Sequence, residues 1–571
     1  MERTFYARAC LAASLLALSL LSAADARIIT VDDDAPADFN NIQDAIDDAT
    51  DWDVVEVKPG TYTGPGNREI RFNGKPITVR GTNPDDFDVV AATVIDCNNQ
   101  GHGFIFDRGE DPNSVLSGLK ITRGVGGWGS ADAGAIACDG GSPIIADCII
   151  TDNRGRGGGI SATRSYLIVR NCIITHNTSD YMGGGIFGTE QYGLTVEDCI
   201  ISHNIADDRG GGIRTTSANV PFVVKNCIIT GNRSRTVGGG LSSRGGYMII
   251  RGSIIAGNVA AERGGGIGAR QYARPAISNS IIYGNSAPAG PQIAVDDPHE
   301  DSVFGPPVLS ALYSNIAGGQ ADVYNDGSFS INWGPGNIDA DPCFANPGYW
   351  RHISDPNIHI EPNDPNAIWI DGDYHLKSQA GRWDAANQSW MLDDATSLCI
   401  DAGDPDFPVG PEPFPNGGRI NLGAYGATAE ASKSYFGKPP CETIVAGDIN
   451  GDCIIDARDF SFIGAHWLAD GMIQSSGKAT DPNPPDGAAG IRTDPILSWT
   501  PGSGALIHII FLGTTPDLSI YSSYWGAQTE PTLNPSLSEG TTYYWRVDEF
   551  GPQGIAAGPV WTFTTKSGTT R

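Results

Sequence analysis

From about Asp132 to Asn285 the apolar and polar positions recur as one short phrase, not as a helical stripe. Gly-Gly-Gly-Ile stands at 157–160, 183–186, 210–213 and 264–267, Gly-Gly-Gly-Leu at 238–241, and Ala-Gly-Ala-Ile at 133–136 is a degenerate first copy. Between the copies comes Cys-Ile-Ile or Ser-Ile-Ile closed by an asparagine. It begins at Cys148, Cys172, Cys199, Cys227, Ser253 and Ser280, which gives steps of 24, 27, 28, 26 and 27 residues. The closing asparagines are Asn153, Asn177, Asn204, Asn232, Asn258 and Asn285. Repetition at that period means a solenoid. The other apolar runs, such as Leu167-Ile168-Val169 and Phe222-Val223-Val224, are short, β-branched and bounded by Gly and Asn. They carry no helical period, so each repeat is a coil of strands. A leucine-rich repeat, of similar length, is excluded because its leucine frame is absent.

Ahead of the repeat, Ile28-Ile29-Thr30-Val31 reads as a strand and 41–46 as a short helix with Ile42, Ala45 and Ile46 on one face. Residues 54–62 read as a strand ended by a Pro59-Gly60 turn. Beyond Asn285 the pattern loosens: 313–316 predicts one poorer coil, and 286–438 is rich in Pro, Asp, Asn and Trp. Residues 432–440 read as a linker. From Ala479 onward, alternating runs at 496–499, 507–511, 542–547 and 560–564 predict strands of a β-module whose core is Trp499, Tyr543, Trp545 and Trp561.

The repeated phrases resemble the right-handed parallel β-helix of the pectin-lyase-like proteins, in which successive coils stack and like residues form ladders. In such a coil Asn tolerates a left-handed turn and can bond along its ladder, while Gly allows close backbone passage. The helix-then-strand opening resembles the N-terminal cap of those proteins, needed because a first coil otherwise exposes its apolar end and strand edges. The phrases at 374–376, 398–403 and 420–426 resemble their closing coils. The C-terminal strands resemble a fibronectin type III-like sandwich. The expected fold class is therefore all-β: a right-handed parallel β-helix solenoid over 27–435, a small helical calcium-binding segment over 441–470, and a β-sandwich over 479–566.

The calcium segment rests on spacing. Asp448, Asn450, Asp452, Asp456 and Asp459 stand at positions 1, 3, 5, 9 and 12 of a loop in which Ile454 at position 7 offers its carbonyl. Calcium takes six to eight such oxygens. Phe460, Ile463 and Trp467 follow at helical spacing. The segment resembles one half of a type I dockerin module, which implies a cohesin-like protein partner. It departs in having Cys453 where the sharp turn usually takes Gly, and in offering one loop where dockerins have two.

Residues 1–26 combine Arg3 and Arg8, an apolar run and Ala24-Asp25-Ala26, the pattern of a cleaved signal peptide. The expected address is extracellular, at the cell surface or periplasmic, where disulfides form and Cys343 and Cys399 are one possible pair. The cysteines of the repeat predict a stacked ladder of interior thiols, since buried Cys packs as a small hydrophobe. No later stretch is apolar for long enough to span a bilayer. The net charge of −29 argues against nucleic acid. Yet 151–280 holds 14 Lys/Arg against 8 Asp/Glu, so the coil wall is basic and suits an acidic polysaccharide.

The resemblance implies action along the coil wall. Lyases of that group remove a proton alpha to a uronate carboxylate with Lys or Arg as base, often with calcium on the carboxylate. A cationic base needs burial or a basic neighbour to lower its pKa. Aligning coils on the glycine triplets stacks Arg154, Asp180, Asp207, Arg235 and Ala261; one residue before the triplet come Arg156, Met182, Arg209, Val237 and Arg263; three after the triplet phrase come Thr163, Thr189, Thr216, Arg244 and Arg270. The candidate catalytic residues are Asp180 and Asp207, together with Asp208, as calcium or carboxylate groups, and Arg209 or Arg235 as base or uronate clamp. Lys225, His176 and His203 are weaker candidates. A glycosidase needs paired carboxylates; apart from Gly101-His102-Gly103 the polygalacturonase pattern is absent. The competing reading is a non-catalytic surface or adhesion solenoid.

Overall fold

The computed structural model describes residues 26–434 and 477–566, except 35, 128–132, 191–192, 217–220, 297–306, 503–504, 506, 517, 519–523, 529–530, 536 and 552–553. Residues 1–25 of the expected signal peptide and the expected calcium-loop residues Asp448, Asn450, Asp452, Ile454, Asp456 and Asp459 lie outside the described residues. The chain divides into two compact units, Met1–Phe462 and Ile463–Arg571.

The first unit is a parallel β-helix. A 12-stranded sheet and two 10-stranded sheets run its length, and a 5-stranded sheet covers its middle. One coil passes in turn through the second sheet (Ile213–Thr216), the long sheet (Phe222–Lys225), the third sheet (Ile228–Thr230) and the short sheet (Arg233–Ser234). Among the described residues every strand ladder between coils is parallel and in register: Ile200 pairs with Ile228 and Ile228 with Ile254. The Ile42–Asp48 helix caps the first coil. Its N-terminus is satisfied by Asn41, and Ile42, Ala45 and Ile46 are buried over the coil end.

Three ladders explain the repeated phrase. The asparagines are buried, and each side-chain amide donates to the next carbonyl oxygen at 2.9–3.0 Å through Asn153, Asn177, Asn204, Asn232, Asn258 and Asn285. The third glycine of each triplet packs on this ladder: a Cβ at Gly212 would stand 2.6 Å from the Gly240 carbonyl oxygen and 3.2 Å from Asn232 Nδ2. The Cys/Ser ladder does more than fill space. The backbone N–H of Cys148 donates to Cys172 Sγ at 3.5 Å, that of Cys172 to Cys199 Sγ at 3.4 Å, and that of Cys227 to Ser253 Oγ at 3.2 Å. The slot demands a small side chain that accepts a hydrogen bond in the dry interior, which Cys and Ser both supply.

The closing region departs from expectation. The described residues 341–434 form no further parallel coils. They pair antiparallel, Phe344–Asn346 with Asp373–Leu376, and Tyr349–His352 with Ala367–Ile370. This segment returns along the third sheet, where Phe344, Tyr374, Leu376, Cys399 and Leu422 pack on Ile254 and Ile281. The reason lies in the Cys/Ser-Ile-Ile phrase: its first isoleucine points out of the coil, and burying one such side chain is worth about 1.5–3 kcal/mol. Cys343 and Cys399 carry free thiols, not a disulfide; Cys399 is buried in this cluster and its sulfur accepts from Asn315 Nδ2 at 3.2 Å.

The residue before each ladder asparagine has positive φ: Asp152, His176 and His203, then Gly231 and Gly257. The change to glycine falls where Trp369 crosses the wall, because a Cβ on either glycine would run into its indole. Gly257→Val is expected to lift the returning segment from the wall and cost about 3 kcal/mol, read as faster proteolysis within 343–434. Gly284→Ala, also at positive φ but with open space around it, is expected to cost only about 1 kcal/mol.

In the second unit a three-stranded sheet (Thr480–Asn483, Leu497–Thr500, Thr532–Leu533) and a six-stranded one share a single core. Trp499, Tyr543, Trp545 and Trp561 are all buried within it.

Candidate functional site

The basic wall resolves into one cluster on the outer face of the second sheet. Its strands alternate, so Ile213 and the third-position residues Ala162 and Ala269 join the core, whereas Arg214 and Thr216 point outward. The ladder at the end of these strands is Asp139, Thr163, Thr189, Thr216, Arg244, Arg270 and Asp296, as the in-register pairings require.

Arg214 faces outward yet is 1% exposed. The glycine-triplet turn folds over it, bringing the Cβ position of Gly210 to 2.7 Å from the Arg214 Cβ. Its Nη1 donates to Ser242 Oγ at 3.0 Å, and its Nε is buried without a partner. Among the described residues no carboxylate lies within ion-pair distance of it. Burial first, then the neighbouring Arg209 and Arg270 guanidiniums, pull its pKa down to about 9 against an opposing pull from Asp208, with Arg244 adding least.

Around it Arg209 reaches Asp208 at 3.3 Å, while its Nε is buried without a partner. Arg263 and Arg270 share the buried Asp296 at 3.1 and 3.0 Å. Arg244 is exposed and bonds Gln271. Five arginines thus stand over three coils against Asp208, Asp296 and the more distant Glu262, whose carboxylate is 3.8 Å from Arg263.

The other candidates lie along the edge by the short sheet and satisfy one another. Asp180 takes Arg154 through Nε at 2.9 Å and Nη2 at 2.7 Å, and Asp207 takes Arg235 at 3.1 Å. Arg154 does not belong to the ladder of Asp180, Asp207 and Arg235, because the turn after Asn153 is two residues shorter than its neighbours. Its backbone pairs with Thr178, and only its long side chain reaches Asp180. Lys225 faces Glu197 at 3.8 Å. His176 and His203 stack with ring centres 4.5 Å apart, and His203 Nε2 lies 3.2 Å from the Trp369 carbonyl oxygen, so the pair meets the returning segment.

Of the sequence-derived candidates Asp180, Asp207, Asp208, Arg209 and Arg235, Arg209 and its partner Asp208 enter the arginine cluster. Arg214 is missing from that set, although a signal for it exists. The residue after each triplet phrase is Ser161, Phe187, Arg214, Ser242 and Gly268, and Arg214 is the single charge in that slot.

A family described as right-handed β-helix region matches residues 86–249, and one described as disaggregatase related matches 343–403. The solenoid is a right-handed β-helix of about ten turns. No curated protein matches the chain. Among solved structures it is similar to a pectin methylesterase from carrot, at 12% identity and a TM-score of 0.28, over 55% of this chain and 91% of that one.

Proposed function

We propose that the arginine cluster binds an acidic polysaccharide along the outer face of the second sheet. The observation that carries this reading is Arg214, a buried guanidinium with no carboxylate within ion-pair distance among the described residues, amid four further arginines. A buried cation is normally paired, because its desolvation is costly. Here the missing counter-charge is a repeating anion, for which Arg209, Arg244, Arg263 and Arg270 form the contact surface. Such a ligand also fits the proposed extracellular address, a fibronectin type III-like C-terminal sandwich, and a dockerin-like loop whose oxygen donors suit Ca2+ and whose partner is cohesin-like.

The test is binding of polygalacturonate, alginate and neutral dextran at two salt concentrations. We expect the polyanions alone to bind, and their affinity to fall with salt. Undiminished binding after Arg209→Ala with Arg270→Ala would sink the reading and leave a structural solenoid.

One observation favours β-elimination as a second reading. Arg214 is a wall arginine whose pKa burial pulls down to about 9. In that reading Arg214 is the base, Arg209 clamps the uronate carboxylate with calcium, and the Asp180–Arg154 and Asp207–Arg235 pairs border the chain. Absorbance of unsaturated uronate should then rise about tenfold per pH unit up to roughly pH 9 and level off above it. A flat profile, or turnover kept by Arg214→Met, rules out Arg214 as base.

A further inference from the structure

The first strand of the solenoid is fastened at its entry by one buried carboxylate. Ile28–Val31 pairs in parallel with Val54–Val57, and the backbone N–H of Val54 donates to the Arg27 carbonyl at 2.9 Å. Just before Val54 stands Asp53, which is 3% exposed. Arg27 holds both of its oxygens. The Arg27 backbone nitrogen donates to Asp53 Oδ1 at 2.9 Å, while its Nε and Nη2 reach Asp53 Oδ2 at 3.0 and 2.8 Å. Thr50 adds its backbone N–H and hydroxyl to the same Oδ2 at 2.9 and 3.0 Å. The guanidinium then continues to the end of the cap helix, where Nη2 donates to the Asp48 carbonyl at 3.0 Å and Nη1 lies 3.3 Å from Asp48 Oδ2. Ala26, one residue earlier, is exposed.

Arg27 is also the residue that follows the small-residue cleavage pattern Ala24-Asp25-Ala26. That pattern is read along the chain, whereas the fold aims the Asp53 carboxylate at one nitrogen; the two meet at the same residue. We propose that Asp53 is the receptor for the α-ammonium of a chain that begins at Arg27, so that removal of residues 1–26 completes the N-terminal cap. This role rests on the extracellular address proposed above. The step is hydrolysis of the Ala26–Arg27 peptide bond by the signal peptidase of the export route. The hydroxyl of water goes to the Ala26 carbonyl carbon and its proton to the Arg27 nitrogen, which takes a second proton from solvent and becomes an ammonium. A hydrogen bond from a neutral amide thereby becomes an ion pair in place, with the strand already in register. Such a bond is stronger when both partners are ionised, above all where the carboxylate is buried. A chain that starts before Arg27 offers Asp53 only a neutral amide, and one that starts after it leaves this buried carboxylate without its cation.

The full-length precursor, exported by its own leader, should yield a chain whose first residue by mass spectrometry is Arg27. Any other terminus, an unprocessed one included, overturns the proposal. Melting is then compared between the chain 27–571 and the same chain extended by residues 23–26, in which the Arg27 nitrogen stays a neutral amide. At about pH 7 the free terminus should melt roughly 2 °C higher. The charged groups beside it are Asp53, Asp48 and the Arg27 guanidinium. Two carboxylates against one cation raise the pKa of the ammonium in the folded state. The gain is therefore full below the unfolded value and is lost as pH rises through the folded one, so it should vanish by about pH 10.5. Asp53→Asn should abolish the difference between the two chains; if that variant does not fold, the pH dependence of the unsubstituted pair decides. Equal melting at about pH 7 overturns the ion pair while leaving the cleavage and the address intact. A difference that persists at about pH 10.5, or in folded Asp53→Asn, also overturns it, by assigning the gain to chain length alone.

Discussion

Replacing Arg214 with methionine is expected to raise stability while weakening polyanion binding at least tenfold. Methionine keeps the volume of the stem under the Gly210–Gly212 turn and removes a buried cation that has no carboxylate within ion-pair distance among the described residues. Replacing buried charges by apolar groups of similar volume is neutral or stabilising by about 1–4 kcal/mol. The loss of the donor to Ser242 Oγ subtracts about 1 kcal/mol, leaving a net gain of about 1–3 kcal/mol and a melting temperature higher by a few degrees. Binding should move the other way, because the central positive charge among Arg209, Arg244 and Arg270 is gone; tenfold corresponds to about 1.4 kcal/mol. A variant both less stable and equally good at binding would mean that Arg214 only fills space. Calorimetry and a polygalacturonate titration on one preparation separate the outcomes.

The second large effect concerns the asparagine ladder. Asn204→Ala removes an oxygen that accepts from both Asn177 N and Asn177 Nδ2 at 3.0 Å, and an amide that serves the Ile174 carbonyl at 2.9 Å and Asn232 Oδ1 at 3.0 Å. All three asparagines are fully buried, so water cannot replace what is lost. With each orphaned group costing about 1–3 kcal/mol, the variant should lose about 3–5 kcal/mol. Each coil is stabilised by its neighbours, so the loss should spread to the flanking coils as cooperative unzipping, read as a lower urea midpoint. Cys199→Ser is the contrasting change. Serine already fills that slot at Ser253 and Ser280 and accepts the same backbone N–H, so a shift within about 1 kcal/mol is expected. A comparable loss from both would show that the slots are less specific than their hydrogen bonds imply.

Residues 132–285 state their own fold. The spacing of the glycine triplets, the Cys/Ser-Ile-Ile phrases and the asparagines is the spacing of coils, and the N-terminal cap is legible in Ile42, Ala45 and Ile46. This works because a solenoid buries its core against its nearest sequence neighbours, so the contacts that make it recur at the period of the chain. The basic wall was visible for the same reason. Charge count and ladder alignment brought out Arg209, Arg244, Arg263 and Arg270, although the short turn after Asn153 misplaced Arg154.

Other features depend on contacts that no period encodes. The folding back of 343–434 over Ile254 and Ile281 joins residues more than 60 positions apart, and its phrases look like coils because they use the same small and aliphatic residues. The burial of Arg214 comes from a turn closing over an outward position, whereas alternation alone assigns such a position to solvent. Its depressed pKa needs that burial together with arginines from three coils. Local periodicity therefore carries the coil and the sign of its wall. The desolvation that turns one arginine of that wall into a site, and the packing that ends the helix, arise only when distant segments exclude water from the same place.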